Sequence, residues 1–460
     1  MWGESGCGPY NQAMPPIGDV LQQLHSGVTT SRALVEQCLS RIADPSGEGA
    51  RTFTRVSDTA LQQADDADAL LRTGNTTDKP LLGLPISVKD LFDVADEVTT
   101  AGSVVLADAP PAMQDAAIVA RLRAAGAVII GRTNMTEFAY SGLGLNPHYG
   151  TPANPWDRSH RRIPGGSSSG AAISVTDGMA VAAIGTDTGG SVRIPSALCG
   201  LTGFKPTASR IPMDGTLPLA RSLDSIGPLA ATVDCCARLD AVLSGEAYTA
   251  LPALSLCNLK FGILQGYVLE GLDDATANAF QNAVLALKEA GANVEPVEFP
   301  ALARIPASNQ TAAAEAYAWH RHLLATSGNR YDPHVSTRIL HGANMLAADF
   351  LELMQARREI IAESMQFFLR YDAILFPTTP IIAPPIADLE HDDTAYFNAN
   401  GLMLRNTSIF NFLDGCALSV PCHRNSEAPV GLMIAGTHGK DAHILRAGSA
   451  IEAALSPLRQ

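Results

Sequence analysis

Residues 165–195 read GGSSSGAAISVTDGMAVAAIGTDTGGSVRIP. A loop of glycine and serine lies at each end, and a helix-like run over 171–176 and an apolar, strand-like run over 180–184 lie between them. Glycine and serine also make flexible linkers, but a linker does not recur after a buried strand and end in an arginine and a proline. A catalytic serine needs neighbouring glycines, because backbone N–H groups must approach a substrate oxygen closely. The stretch therefore predicts two loops that each place a serine in a tight backbone environment.

A serine hydroxyl needs a base, and the sequence points to lysine for this role. None of the 11 histidines lies in either loop. Lys89 ends the apolar run 81–88, where burial would lower its pKa from about 10.4 and leave a neutral amine. The alternative is a lysine that extends its ammonium group to solvent from the end of a strand.

The motifs around these residues resemble those of the amidase signature family. GGSSSG at 165–170 is followed by GTDTGGSVRIP at 185–195, and PISVKD at 85–90 lies upstream. The likeness continues through FKP at 204–206 and SLDSIGP at 222–228, and it is densest over about residues 80–230. The family includes fatty acid amide hydrolase and the amidase subunit of glutamyl-tRNA amidotransferase.

The resemblance implies a Ser–cis-Ser–Lys triad. Ser191 would be the nucleophile, Ser167 the relay serine joined to Gly166 by a cis peptide bond, and Lys89 the general base. The oxyanion hole would be formed by the backbone N–H groups of the nucleophile loop: Thr188, Gly189, Gly190 and Ser191. The acyl side of the substrate pocket would be lined by Phe138, Ala139, Tyr140 and Gly142, although core packing explains Phe138 equally well.

The two charged residues near Ser191 are expected to have a structural role and to take no part in the chemistry. Asp187 and Arg193 flank the second loop with opposite charges, which predicts charge-assisted hydrogen bonds that hold the loop. An alternative nucleophile is Ser168, since residues 166–170 also match G-x-S-x-G. That motif requires a buried strand immediately before it, whereas residues 158–162 read RSHRR.

The chain has no P-loop and no H-E-x-x-H motif, so we expect no metal and no cofactor.

Apolar periodicity predicts the fold class. Strand, helix and strand patterns recur over 84–130 and again over 261–297, which favours β-α-β units. We expect an α/β fold with one large domain over 1–460 and a mixed, largely parallel central sheet covered by helices on both faces. Residues 1–75 would form N-terminal wrapping helices. Residues from about 300 to 395 are predicted to be mostly helical, with a strand at 373–376, and to cover the substrate pocket.

Composition narrows the class of protein. The formal net charge of −14 argues against a nucleic-acid surface, which needs a basic stripe. The sequence shows no signal-peptide pattern and no apolar run of about 18 residues, so we expect no membrane association. The cysteines form no C-x-x-C pair, which suits a reducing, cytoplasmic location. A monomer or homodimer is expected.

The leading hypothesis is a hydrolase of linear amides that forms an acyl-enzyme on Ser191 and takes a small-molecule amide substrate. Aryl amides, carbamates and esters are further substrates that the same attack would serve. The alternative is the glutaminase subunit of a tRNA-dependent amidotransferase, in which Arg-Gln-Pro often follows the nucleophile. Residues 193–195 read RIP instead, which favours a stand-alone amidase. A catalytically dead binding protein is a third hypothesis, disfavoured by retention of Lys89, Ser167 and Ser191.

Overall fold

The computed structural model describes residues 13–74, 76–305 and 310–459. The strands that it describes are β1 (Phe53–Val56), β2 (Pro85–Lys89), β3 (Val128–Thr133), β4 (Ala182–Asp187), β5 (Thr202–Lys205), β6 (Ser225–Ala230), β7 (Lys260–Leu264), β8 (Asn293–Val297), β9 (Ala373–Pro377), β10 (Cys416–Pro421) and β11 (Gly431–Gly436). They form one sheet in the order β1-β3-β2-β4-β6-β5-β10-β11-β9-β7-β8.

The helices of the described ranges are α1 (Ile17–Ser26), α2 (Ser31–Ala43), α3 (Gly49–Thr52), α4 (Ala60–Thr73), α5 (Ala117–Ala124), α6 (Ser169–Thr176), α7 (Arg193–Cys199), α8 (Val233–Ser244), α9 (Asp274–Glu289), α10 (Gln310–Ser327), α11 (Pro333–Leu340), α12 (Ala347–Phe368), α13 (Asp393–Phe412) and α14 (Asp441–Leu455). Short 3₁₀ turns connect several of them. None of these helices is both long and apolar enough to cross a membrane.

The α/β class with a mixed central sheet is confirmed. β2 pairs in parallel with β3 and β4, and β7 pairs in parallel with β8 and β9. These two groups contain the β-α-β units that the sequence predicts. The strands between them, β6, β5, β10 and β11, pair antiparallel with their neighbours. Short apolar strands alone do not specify this antiparallel centre, because each strand is buried on both faces.

Alternation along β4 shows why helices cover both faces of the sheet. Ala182 and Ile184 belong to the core cluster that contains Val233 of α8. Ala183 belongs to a different cluster, with Ala171 of α6. Since successive side chains of a strand point to opposite faces, α6 and α8 lie on opposite sides of β4. The first of these helices follows Ser168 directly, so sheet packing sets the position of the first serine loop.

The segments predicted to wrap the N-terminal part and to cover the pocket are mostly helical, and the N-terminal one also contains an unexpected strand. α1, α2 and α4 lie within the N-terminal segment 1–75, of which residues 1–12 and 75 lie outside the described ranges. The same segment supplies the edge strand β1, which sequence analysis did not identify. In the segment 300–395, α10, α11 and α12 provide the helices, and the expected strand is β9. We refer to α10, α11 and α12 as the cover.

Candidate active site

Two neighbouring parallel strands bring the two sequence motifs together. β2 ends at Lys89, and β4 pairs with it in parallel, with Val88 opposite Ile184. β4 ends at Asp187, immediately before the second glycine-serine loop. Because the carboxyl ends of parallel strands meet at one edge of a sheet, the lysine and that loop share this edge.

Lys89 is buried and contacts the first serine loop. Its Nζ donates to Ser167 Oγ at 2.8 Å and to Thr186 Oγ1 at 2.9 Å. The residue is 0% exposed. Burial lowers the pKa of the Lys89 ammonium from 10.5 to about 7, against the opposing charges of Asp187 and Asp224. A neutral amine is therefore accessible near neutral pH, and the side chain does not extend to solvent. Thr186 was not among the predicted residues.

The first serine loop lies in close contact with residues 136–144. The peptide bond between Gly166 and Ser167 is cis. Gly166 N–H donates to the Gly142 carbonyl at 2.8 Å, and the Ser167 carbonyl accepts from Thr136 N–H at 3.1 Å. A Cβ at position 166 would lie 2.5 Å from the backbone nitrogen of Gly144. Only glycine fits this approach, which explains the residue type before Ser167.

The second serine loop meets the first loop at Ser191. Ser168 N–H donates to the Ser191 carbonyl at 3.3 Å. Ser191 is 3% exposed, and its hydroxyl makes no hydrogen bond to any residue of the described ranges. The structure thus places Lys89 against Ser167 and the backbone of Ser191 against that of Ser168, with all of these residues buried.

The expected oxyanion donors are not equivalent. Gly190 N–H donates to Asp187 Oδ1 at 2.8 Å and is therefore already occupied. By contrast, the N–H groups of Thr188, Gly189 and Ser191 donate to no acceptor within the described part of the chain. Gly190 instead has a φ of +134°, and its missing side chain leaves room for Thr407. Its function in the loop is thus conformational.

Asp187 and Arg193 form a fully buried ion pair at the base of the loop. Arg193 Nη2 lies 2.8 Å from Asp187 Oδ1, and Nε lies 3.0 Å from Oδ2, with both side chains 0% exposed. Burial alone would raise the pKa of the Asp187 carboxyl, but the Arg193 guanidinium holds it well below its usual range. The carboxylate also accepts from Val192 N–H at 3.2 Å. This pair shapes the turn that carries Ser191.

A polar stripe on α13 holds the second serine loop and the neighbouring segment at Gly142, and sequence analysis missed it. Asn400 Oδ1 accepts from Gly142 N–H at 2.8 Å, and Thr407 Oγ1 donates to the Gly189 carbonyl at 2.5 Å. Asn411 Nδ2 donates to Asp187 Oδ1 at 2.9 Å. The spacing of these α13 residues, 400, 407 and 411, places them within about 40° on one helix face. The sequence signal for this stripe is the recurrence of polar residues at helical spacing along α13.

The alternative nucleophile Ser168 lies in a different environment. It precedes α6 directly, and the residues before the loop form a 3₁₀ turn, Arg158–His160, instead of a strand. Its Oγ is directed at the Thr186 carbonyl at 3.4 Å, and the residue is 0% exposed. The strand-to-helix turn that the G-x-S-x-G motif requires is absent from this part of the described chain.

A cavity of about 620 Å³ opens between the cover and α13. Tyr140 forms part of its wall, and α13 contributes Asn400 and Leu404. Arg338 of α11 also lines it, with its guanidinium 4.2 Å from the centre of the Tyr140 ring. A Cβ on Gly142 would lie 3.3 Å from Leu404 Cγ and 3.2 Å from Ile194 Cδ1. Leu404 of the cavity wall therefore lies close to Gly142, which is hydrogen-bonded to Gly166 of the first serine loop, whereas the lining itself contains no residue of either loop.

The other predicted pocket residues pack beneath this wall. The Phe138 ring lies 4.5 Å from His320 and 5.2 Å from Tyr331, measured between ring centres, and Phe138 is 1% exposed. Ala139 is 5% exposed and, like Phe138, is not part of the cavity lining. Phe138 thus joins residues 137–140 to the cover, as core packing would predict.

Among the described residues, no group of three or more His, Cys, Asp or Glu is placed to hold a metal ion.

The family follows from a match over most of the chain. The family model described as Amidase matches residues 33–445. The chain belongs to the amidase family. It is therefore an amidase-family hydrolase, and the buried lysine and paired serine loops lie within the matched range.

The proteins that this chain resembles include a deaminase, a peptide amidase and a subunit of an amidotransferase. The chain is 34% identical to 2-amino-5-chloromuconic acid deaminase of Comamonas testosteroni, over 96% of each chain. It is 33% identical to one of the subunits of glutamyl-tRNA(Gln) amidotransferase from Roseiflexus sp., over 95% of each. The structure of peptide amidase from Stenotrophomonas maltophilia superimposes with a TM-score of 0.82 at 27% identity, covering 98% of this chain and 99% of that one.

Proposed function

We propose that this amidase-family protein hydrolyses linear amides through an acyl-enzyme on Ser191, with Ser167 as relay and Lys89 as general base. One observation carries the proposal. Lys89 is fully buried, its pKa is lowered to about 7, and its Nζ lies 2.8 Å from the Ser167 hydroxyl. Lys205 is also buried with a lowered pKa, but its Nζ donates to two backbone carbonyls, those of Pro206 and Gly415, and not to a serine hydroxyl.

The proton path follows from these contacts. In the substrate complex, Ser191 gives its proton to Ser167 while its oxygen attacks the amide carbon. Ser167 passes its own proton to the neutral Lys89 amine. The path then reverses, the leaving nitrogen receives the proton, and the C–N bond breaks. Water repeats the sequence to release the acid. Contacts of this kind tighten on substrate binding, so the unpaired Ser191 hydroxyl is compatible with the relay.

The oxyanion of the tetrahedral intermediate needs N–H donors that have no other acceptor. We assign this function to Gly189 and Ser191, with Thr188 N–H as a further donor, because Gly190 N–H is occupied by Asp187. Each such donor contributes on the order of 10²–10³ to the rate. Asp187 and Arg193 hold the turn and take no part in the chemistry.

The cavity favours a substrate that carries an anionic group. Arg338 and Asp349 both line it, and Arg338 forms no ion pair with Asp349 or with any other residue of the described ranges. Its guanidinium stacks on Tyr140 and donates to the Tyr140 carbonyl, which holds the cation beside the cavity. Phe397 and Leu404 add apolar surface. We therefore propose amides of carboxylic acids that also bear a free carboxylate, including aryl amides. The deaminase relative is named for an acid substrate.

The test is intact-mass analysis after incubation with a serine-directed fluorophosphonate. We expect one adduct on the wild type and on Ser168→Ala, and none on Ser191→Ala. Hydrolysis of an aryl amide should disappear together with the adduct. Loss of both in Ser168→Ala alone would establish the alternative nucleophile and refute the proposal. For the cavity, Arg338→Met should raise KM for a carboxylated aryl amide and leave KM for its uncharged analogue unchanged.

The second candidate is the glutaminase component of an amidotransferase, favoured by the 33% identity to a protein of that complex. Ile194 stands where Arg-Gln-Pro would place glutamine, which favours the stand-alone amidase. Ammonia release decides between them. The stand-alone amidase should release ammonia from simple amides without any other chain, whereas glutamine as the only accepted substrate would support the amidotransferase component.

A further inference from the structure

Asp224 joins the nucleophile loop to the segment that precedes β6. Its carboxylate accepts from the Thr188 hydroxyl and from the backbone N–H groups of Leu219, at 3.0 Å, and Ala220, at 3.1 Å. The residue is 4% exposed. Thr188 begins the loop that ends at Ser191. One buried carboxylate therefore connects the predicted oxyanion donors to residues 219–220.

A second carboxylate continues this connection to the cover. Ser222 N–H donates to Glu315 Oε2 at 3.0 Å, and the Ser222 hydroxyl donates to Oε1 of the same side chain. Glu315 lies on α10, the helix that also contributes Gln310 and Ala313 to the cavity wall. The path from the cavity wall to the nucleophile loop thus consists of two carboxylates with only residues 219–224 between them.

We propose that Asp224 and Glu315 are positioning residues that couple the placement of the cover to the geometry of the oxyanion donors at Thr188, Gly189 and Ser191. This inference rests on the proposed function of Ser191 as nucleophile. The loop is rich in glycine and buries little apolar surface of its own, so hydrogen bonds must specify its conformation. A change at α10 is transmitted to the loop through the two hydrogen bonds between Ser222 and Glu315 and the single hydrogen bond from the Thr188 hydroxyl to Asp224.

A purely structural role would not require a charged group at position 224. Burial raises the pKa of the Asp224 carboxyl to about 6, against the hydrogen bond from Thr188. Keeping a carboxylate there is costly, and the gain is an acceptor with two oxygens that serves one hydroxyl and two N–H groups. The same charge raises the pKa of Lys89, as does the charge of Asp187. Asp224 thus acts on both the loop and the base.

The two roles of Asp224 can be measured separately. Asp224→Asn keeps the shape but loses one acceptor oxygen and the charge. We expect the plateau rate of fluorophosphonate labelling at high pH to fall about tenfold, since a misplaced donor loses on the order of one hydrogen bond. The midpoint of the acid limb should move to lower pH, because the Lys89 ammonium loses a stabilising charge. Glu315→Gln should lower the plateau and leave the midpoint unchanged.

Matched controls separate positioning from stability. Asp240 is a buried carboxylate bound to Arg210, and Glu363 pairs with Arg304 at the surface of α12. Asp240→Asn and Glu363→Gln should lower the melting temperature without changing the plateau or the midpoint. If Asp224→Asn does not fold, Thr188→Val removes the hydroxyl alone and should lower the plateau, and Thr188→Ser should restore it.

The outcomes distinguish this inference from the proposed function. Plateau rates and midpoints that equal those of the wild type in Asp224→Asn and Glu315→Gln would overturn the inference. Plateau losses that merely follow the fall in melting temperature, and that also occur in Asp240→Asn and Glu363→Gln, would likewise overturn it. An adduct that persists in Ser191→Ala would instead overturn the proposed function, because the labelled residue would then not be Ser191.

Discussion

The state of Lys89 sets a pH dependence that can be worked out from the structure. With a pKa of about 7, the neutral fraction of the Lys89 amine is about 1% at pH 5, half at pH 7 and about 99% at pH 9. If the neutral amine accepts the proton of Ser191 through Ser167, the rate of acylation follows this fraction. We therefore expect an increase of about 100-fold between pH 5 and 9, with half of the plateau reached near pH 7.

Fluorophosphonate labelling measures this dependence without knowledge of the substrate. The second-order rate constant is determined by intact mass from pH 5 to 9, with Lys89→Met as the comparison. Methionine has nearly the same length and no titratable group, so the variant should react at least about 10²-fold more slowly at pH 9 and show no limb at pH 7. Asp224, with a pKa of about 6, adds a second step only at the acid end.

Two results would refute the reasoning. A rate that is flat from pH 5 to 9 would mean that no group with the pKa of Lys89 controls acylation. A limb that still rises at pH 9 would mean that the amine keeps a pKa close to 10.5, as in a solvated lysine. In the first case, the base must be sought elsewhere. In the second case, the burial of Lys89 would not hold in solution.

Three further predictions concern stability and loop geometry. Lys89 binds more protons in the unfolded chain (pKa 10.5) than in the fold (about 7), so its contribution to the free energy of unfolding rises with pH between about 7 and 10. Urea titrations should show this rise as the wild type minus Lys89→Met, and equal slopes in the two proteins would contradict it. Arg193→Met leaves the buried Asp187 carboxylate without its cationic partner and should cost about 3–5 kcal/mol in the same titrations; a loss below about 1 kcal/mol would mean that solvent reaches the carboxylate. Gly190→Ala places a Cβ 2.2 Å from Thr407 Oγ1 at a φ of +134° and should slow labelling at least about 10²-fold. Gly439→Ala, at a φ of +75° with open space around it, is the control and should label normally.

The local part of the site could be predicted from the sequence. Three features act over short distances along the chain: the glycines that precede Ser167 and Ser191, the apolar run before Lys89 and the β-α-β pattern. Each of these features specifies a backbone conformation by itself, through glycine freedom, strand burial or crossover length. The roles expected of the lysine and the two serines came in addition from the resemblance to the amidase signature motifs, because local features specify the backbone and do not say which side chain reacts.

The support of the site could not be predicted in the same way. Asn400, Thr407 and Asn411 follow Ser191 by more than 200 residues, and α13 has no sharp apolar face that would reveal its orientation. Whether such residues face a loop or a neighbouring helix depends on the strand order, in which β10 lies between β5 and β11. The antiparallel centre of the sheet is likewise a long-range pairing. Periodicity identifies elements and does not identify their partners.

Charged side chains are buried around the two serine loops because the loops themselves offer little apolar surface. Glycine and serine offer little apolar surface, so the loop around Ser191 gains little from the hydrophobic effect and loses much backbone entropy on ordering. Hydrogen bonds to the carboxylates of Asp187 and Asp224, together with those of the polar stripe of α13, must hold the loop instead. Each buried polar group is nevertheless costly unless it is paired. The same charges keep the Lys89 ammonium from losing its proton too readily. Asp187 and Asp224 are therefore buried, although charged residues usually lie at the surface, because they fix the geometry of the loop and the pKa of Lys89 together.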